Sequence, residues 1–200
     1  MENNNDHTDR LTLKVFGDIR TVFNLTEADE QYLRANLKWR TFKKGHILDG
    51  RNEILQNMIY IHRGAARTYY IENGREHNYA FSFSSHYLIK PRIKLKHQIF
   101  AQFMTESEVC YISEQMFGSL RDKATTEMYK FMNMGMLSHI KHLEEQMFML
   151  HLSARERYEW VLEKYPHLLD YVSITQLASF LNVTKETLYR IRSGKYGNIE

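Results

Sequence analysis

The sequence predicts an α+β protein in which a small antiparallel β-sandwich or barrel is followed by one long helix and then by two short helices joined at a sharp turn. Three observations predict it. Between about Trp39 and Ile112, short runs rich in Tyr, Ile, Phe and Thr are punctuated by Gly45, Gly50, Gly64 and Gly74. From about Ala124 to Leu152 the chain carries one apolar stripe at helical spacing and no proline. From Ser173 to Arg192, two capped amphipathic segments flank Asn182.

Residues 1–20 form a polar N-terminus that leads into a helical pattern from about 11 to 38. Thr26 is a candidate cap, with acids in the next turn and Tyr32, Leu33 and Leu37 as apolar positions. The β-domain is expected over 21–122. Met58–Ile61 and Arg67–Ile71 read as strands. Glu72-Asn73-Gly74-Arg75 reads as a tight hairpin turn, and Val109–Ile112 as a late strand. Ile89 to His97 alternates, with Ile89, Pro91, Ile93 and Leu95 on one side and Lys90, Arg92, Lys94 and Lys96 on the other. Its plainer reading is an edge strand whose cations discourage edge pairing; the sharper one is a reworked pocket for an anion.

The long helix is expected over 123–152. Its stripe is Met128, Met132, Met136, Ile140, Leu143, Met147 and Leu150, and Gly135 beside it would permit close backbone approach. So long a helix between two small domains has little intrachain surface to bury its length, which favours pairing with a second copy. Arg155–Tyr165 forms a further helix, ended by Pro166.

The segment 153–200 holds the most informative pattern, that of a helix-turn-helix. Ser173 caps a first helix, with Gln176 placed to complete a capping box. Leu177, Ala178 and Leu181 form its inner face, and Asn182 stands where the chain must enter a left-handed conformation. Thr184 caps the second helix, whose inner face is Leu188 and Ile191. Lys185, Glu186, Tyr189 and Arg190 then point outward near its start, where a recognition helix presents side chains to base edges in the major groove. Arginine suits guanine and glutamate can accept from cytosine, so Lys185, Glu186 and Arg190 are the base-reading candidates. Thr187, Tyr189, Arg192, Lys195 and Tyr196 are the phosphate-contact candidates. From Thr184 to Gly197 four cations stand against Glu186 alone.

Composition narrows the classes. A hydrophobic fraction of 43% and a charged fraction of 26% are those of an ordinary globular protein. No stretch approaches a membrane span, and the polar start Met-Glu-Asn-Asn-Asn-Asp-His lacks the features of a signal peptide, so a cytoplasmic address is expected. Cys110 is the single cysteine, which excludes an internal disulfide and a cysteine-rich metal centre. His139, His142 and His151 share helical spacing, but no carboxylate or cysteine completes a site with them; no metal and no cofactor are expected. No Gly-rich phosphate loop, nucleophile elbow or His-Glu-x-x-His helix occurs, so the chain is not expected to be an enzyme.

The run Val183-Thr184-Lys185-Glu186-Thr187-Leu188-Tyr189-Arg190-Ile191 resembles the recognition helix of the Crp/Fnr superfamily, the cyclic-AMP receptor and its relatives. Phe42-Lys43-Lys44-Gly45-His46-Ile47-Leu48 is similar to the opening of that family's sensory β-roll. Tyr60–Tyr70, with its Ile-x-x-Gly-x-x-Arg core, is similar to its central hairpin, and Glu108–Ile112 to the strand before its dimerisation helix. The resemblance covers roughly 20–196. It implies a double-stranded jelly-roll of the cyclic-nucleotide-binding type, a long dimerisation helix and a winged-helix-like domain; this chain departs from it in having few residues around the helix-turn-helix, so the wing is expected to be small or absent. The function it implies is a homodimeric regulator on two-fold symmetric double-stranded DNA, with RNA polymerase as a further partner. Family members that bind cyclic nucleotides carry a Gly-Glu pair and then Arg-Ser or Arg-Thr. Here no Gly-Glu exists and the latter positions read His97-Gln98, so cyclic AMP is not expected. An effector of other chemistry is expected near Arg92, His97 and Gln98. The alternative reading is a ligand-sensing or protein-interaction dimer whose DNA-binding end has decayed.

Overall fold

A computed structural model describes residues 24, 26–91, 96–112 and 125–195, with the side chains of residues 112, 128, 131, 132 and 135 excepted. Helix α1 (Glu27–Asn36) begins where Thr26 Oγ1 accepts from Asp29 N–H and the Asp29 carboxylate accepts from Thr26 N–H. Strand β1 (Lys38–Phe42) follows almost directly, so the described helix is shorter than the 11–38 pattern suggests; the part of that pattern before residue 24 lies outside the described residues. Next come β2 (Ile47–Asp49), the short α2 (Glu53–Gln56), β3 (Met58–Arg63), β4 (Ala65–Glu72), β5 (Arg75–Phe83), β6 (His86–Tyr87), β7 (Ile99–Phe103) and β8 (Ser107–Ile112).

The strands form two antiparallel four-stranded sheets, ordered β1-β8-β3-β6 and β2-β7-β4-β5. The β4–β5 hairpin turns at Asn73 and Gly74, whose φ values of 51° and 71° are the left-handed pair that a two-residue hairpin loop requires. Between the sheets lie Leu48, Ile59, Ile61, Ala66, Phe103 and Val109, and the Phe42 and Phe103 rings stack at 4.3 Å. Gly64, between β3 and β4, has φ 111°, and a Cβ there would lie 2.8 Å from the Glu106 carbonyl oxygen. Only glycine fits that close approach.

The expected edge strand from Ile89 to His97 is not formed at its described residues. Ile89 N–H donates to Ser82 Oγ (3.0 Å) and its carbonyl accepts from Thr68 Oγ1 (2.7 Å). These side-chain bonds take the place of ladder bonds, and Pro91 has no N–H to extend one. Arg92 to Leu95 lie outside the described residues.

Helix α3 (Thr126–Leu150) is followed by α4 (Ala154–Lys164), a 3₁₀ turn (Leu168–Asp170), α5 (Ile174–Phe180) and α6 (Lys185–Arg192). Ser153 and Glu156 form the capping box of α4, whose last turn stops before Pro166. A second core joins Ala65, Phe81 and Met104 of the β-domain to Met149, Val161, Leu168, Leu177, Leu181 and Leu188 of the helices. No helix among the described residues is long and apolar enough to cross a membrane.

Candidate nucleic-acid interface

The α5–α6 pair is built by local bonds that the sequence encodes. Ser173 Oγ accepts from Gln176 N–H while the Gln176 side chain accepts from Ser173 N–H. At the far end Asn182 adopts φ 53°. That turn lets Asn182 N–H donate to the Ser179 carbonyl (3.2 Å) and Val183 N–H to the Ala178 carbonyl (3.0 Å). Helix ends need such partners because their last carbonyls have none inside the helix. Arg157 Nη1 from α4 takes the Leu181 carbonyl at 2.8 Å, setting a cation at the negative end of α5.

Helix α6 starts where Thr184 Oγ1 accepts from Thr187 N–H (3.0 Å). It ends in the same way as α5, with Gly194 (φ 72°) as the left-handed residue and Lys195 N–H returned to the Arg190 carbonyl (3.0 Å). Leu188 and Ile191 are buried, and Ala178 beside them is the small residue that lets the two helices approach. Lys185, Glu186, Tyr189, Arg190, Arg192 and Lys195 are exposed, whereas Thr187 is half-buried. Among the described residues none of Lys185, Glu186, Arg190, Arg192 and Lys195 enters an ion pair, so their charges are free for an external partner. Tyr196 lies outside the described residues.

One contact at this site has no signal in the sequence pattern. Helix α5 docks on β5 through a polar network held by Arg67, which is 3% exposed. Its guanidinium donates to Gln102 Oε1 (2.8 Å), Glu76 Oε2 (2.6 Å) and Asn78 Oδ1 (2.9 Å). Asn78 in turn donates its backbone N–H to Ser179 Oγ (2.9 Å) and its amide to the Gln176 carbonyl (3.0 Å). Ser179 Oγ returns a bond to the Glu76 carbonyl (3.0 Å). The Phe81 and Phe180 rings pack at 4.9 Å beneath. The register of β4–β5 shifts here and leaves Tyr79 without a cross-strand partner; its ring instead lies 5.7 Å from that of His142 on α3. Burial pushes the His142 imidazole down to about 4, with a smaller opposing pull from Glu145. Burial likewise pushes the Cys110 thiol up to about 12, which keeps it unreactive.

On α3, Met136, Ile140, Leu143 and Met147 are exposed along one side, Met147 by 65%. Leu150, at the end of the expected stripe, is exposed too, and the surroundings of Met128, Met132 and Gly135 lie outside the described residues.

The whole architecture has counterparts among solved structures. A regulator assigned to the Crp/Fnr family from Eubacterium rectale matches with a TM-score of 0.62 at 16% identity, over 86% of this chain and 83% of that one. FixK2 of Bradyrhizobium japonicum matches with a TM-score of 0.61 at 19% identity, over 79% of this chain and 83% of that one. A CooA variant from Carboxydothermus hydrogenoformans matches with a TM-score of 0.59 at 16% identity, over 86% and 80%. The fold is that of the Crp/Fnr regulators. No family model matches the sequence, and no curated protein does. Within this Crp/Fnr-like fold, His97 lies against Tyr70 (ring centres 5.3 Å apart), its Nε2 3.1 Å from Glu72 Oε1, and Gln98 beside it is exposed. Arg92, the third expected effector residue, lies outside the described residues.

Proposed function

We propose that the chain is a sequence-specific, homodimeric transcription regulator of the Crp/Fnr type. The observation that carries this reading is the outer face of α6. A helix fixed by two buried apolar residues, a hydroxyl cap and a left-handed glycine stop presents Lys185, Glu186 and Arg190 unpaired and exposed. Those three read base edges, while Thr187, Tyr189, Arg192, Lys195 and Tyr196 hold phosphates.

Two copies pair along α3. Burying what remains exposed of each stripe residue is worth about 1–2 kcal/mol, and none of the described residues covers Met136, Ile140, Leu143 or Met147. Pairing there sets two α6 helices about one turn of DNA apart, roughly 34 Å, to match a two-fold symmetric site. Cyclic AMP is not the effector in this reading, because an imidazole and an amide at His97 and Gln98 replace the bidentate guanidinium and hydroxyl of a cyclic-phosphate grip. The protein acts in the cytoplasm, without catalysis or a cofactor, and RNA polymerase is the machinery it would recruit or block.

Selection of bound sequences from a random DNA pool by the purified protein, without added ligand, tests the reading. A palindromic site is expected. Arg190→Ala should then weaken binding by roughly 1–3 kcal/mol and relax discrimination at a single base pair. Equal loss on every sequence would demote Arg190 to a phosphate contact, and no enrichment at all would sink the DNA-reading role.

A further inference from the structure

We infer that the cavity between the β-domain, α3 and the start of the C-terminal helices binds a small aromatic carboxylate. The cavity has a volume of about 430 Å³, within the range of small-molecule sites, and neither His97 nor Gln98 lines it. Its three walls come from three parts of the chain. The end of β5 supplies Phe83; the segment after α4 supplies Tyr165 and Tyr171; α3 supplies Ser138, Lys141, His142 and Glu145.

The chemistry of the lining selects the occupant. The Phe83 ring lies 5.3 Å from that of Tyr165 and 6.2 Å from that of Tyr171, a set of aromatic faces suited to a planar apolar body. Glu145 is neutralised by its ion pair with Lys164, whose ammonium also lies 5.0 Å from the Tyr165 ring centre. Lys141, by contrast, is exposed at the rim and enters no ion pair among the described residues. One uncompensated cation beside aromatic walls favours one negative charge on a flat molecule. His142 sits on the same wall, 6% exposed, and its Nε2 has no hydrogen-bond partner among the described residues. It is a buried polar atom that the described residues leave unsatisfied.

The position adds a consequence. Residues 138, 141, 142 and 145 follow the three- and four-residue steps of one helix face, and Met136, Ile140, Leu143 and Met147 lie on the opposite face of α3. An occupant and a second copy of the chain therefore use different sides of the same helix. An occupant would touch the β-domain and the segment leading into α5–α6 at once, so binding would hold the two together.

Calorimetric titration of the full chain without DNA tests the site, and its result does not depend on whether α6 reads DNA. The probes are 2-naphthoate and, as the neutral counterpart, 2-naphthalenemethanol. Naphthoate should bind about tenfold more tightly than the alcohol, and Lys141→Met should abolish that preference while leaving the alcohol unaffected. Tyr171→Ala, at a partly exposed wall residue, should weaken both probes, and Ser138→Trp should block both by filling the cavity. Equal affinity for the two probes, absence of binding by both at millimolar concentration, or naphthoate affinity unchanged in both Tyr171→Ala and Ser138→Trp would overturn the inference.

Discussion

Replacing Asn78 by Ala should uncouple α5 from the β-domain, and the structure sets the magnitude. The Asn78 side chain makes two bonds, one accepted from the buried Arg67 guanidinium and one donated to the Gln176 carbonyl across the interface. A hydrogen bond to a charged group is worth about 1.5–3 kcal/mol and a neutral one about 1 kcal/mol. Arg67 keeps Gln102 and Glu76, which places the loss toward the lower end, at about 2–3 kcal/mol. With a urea slope near 2 kcal/mol per molar, the unfolding midpoint should fall by about 1 M. Ser179→Ala removes the acceptor for the Asn78 backbone N–H, so the two substitutions share one network. In a double-mutant cycle by urea denaturation they should couple by about 0.5 kcal/mol or more. A loss below about 0.5 kcal/mol for Asn78→Ala, with additive effects in the cycle, would refute the assignment of this network as what holds α5 in place.

Acid should weaken the fold through His142. Its folded value near 4 lies below the ordinary 6.5, so its contribution is complete above pH 6.5 and is lost as pH falls from there toward 4. The loss is at most about 3 kcal/mol, and His142→Phe should flatten that part of the stability profile, measured by denaturation across the pH range. Gly64→Ala should cost about 1–3 kcal/mol, because φ 111° and the Glu106 carbonyl leave no room for a Cβ; a melting temperature equal to wild type would disprove the contact. At Asn182, with φ 53°, glycine should be tolerated and alanine should cost about 1 kcal/mol, read as a difference in unfolding midpoint.

The sequence by itself determined several element ends and turns. Thr26, Ser173 and Thr184 cap the helices they precede, and Asn73-Gly74 and Asn182 turn the chain, because capping and left-handed turns are settled by a few adjacent residues. The inner faces of α5 and α6 were legible for the same reason, since helical periodicity alone separates Leu177 and Leu188 from Lys185 and Arg190. The 89–97 segment shows where that reasoning fails. Its alternation satisfies the strand pattern, yet Ser82 and Thr68, distant in sequence or across the sheet, take the bonds of Ile89. Likewise, no periodicity announces that Arg67, Glu76 and Asn78 on a β-hairpin will meet Gln176 and Ser179 about a hundred residues later. Nor does it show that β5, α3 and the segment after α4 will enclose a cavity around His142 and Lys141. Those arrangements depend on long-range packing, where each partner is one of many that hydrophobicity and propensity leave equally eligible; only the folded chain chooses among them.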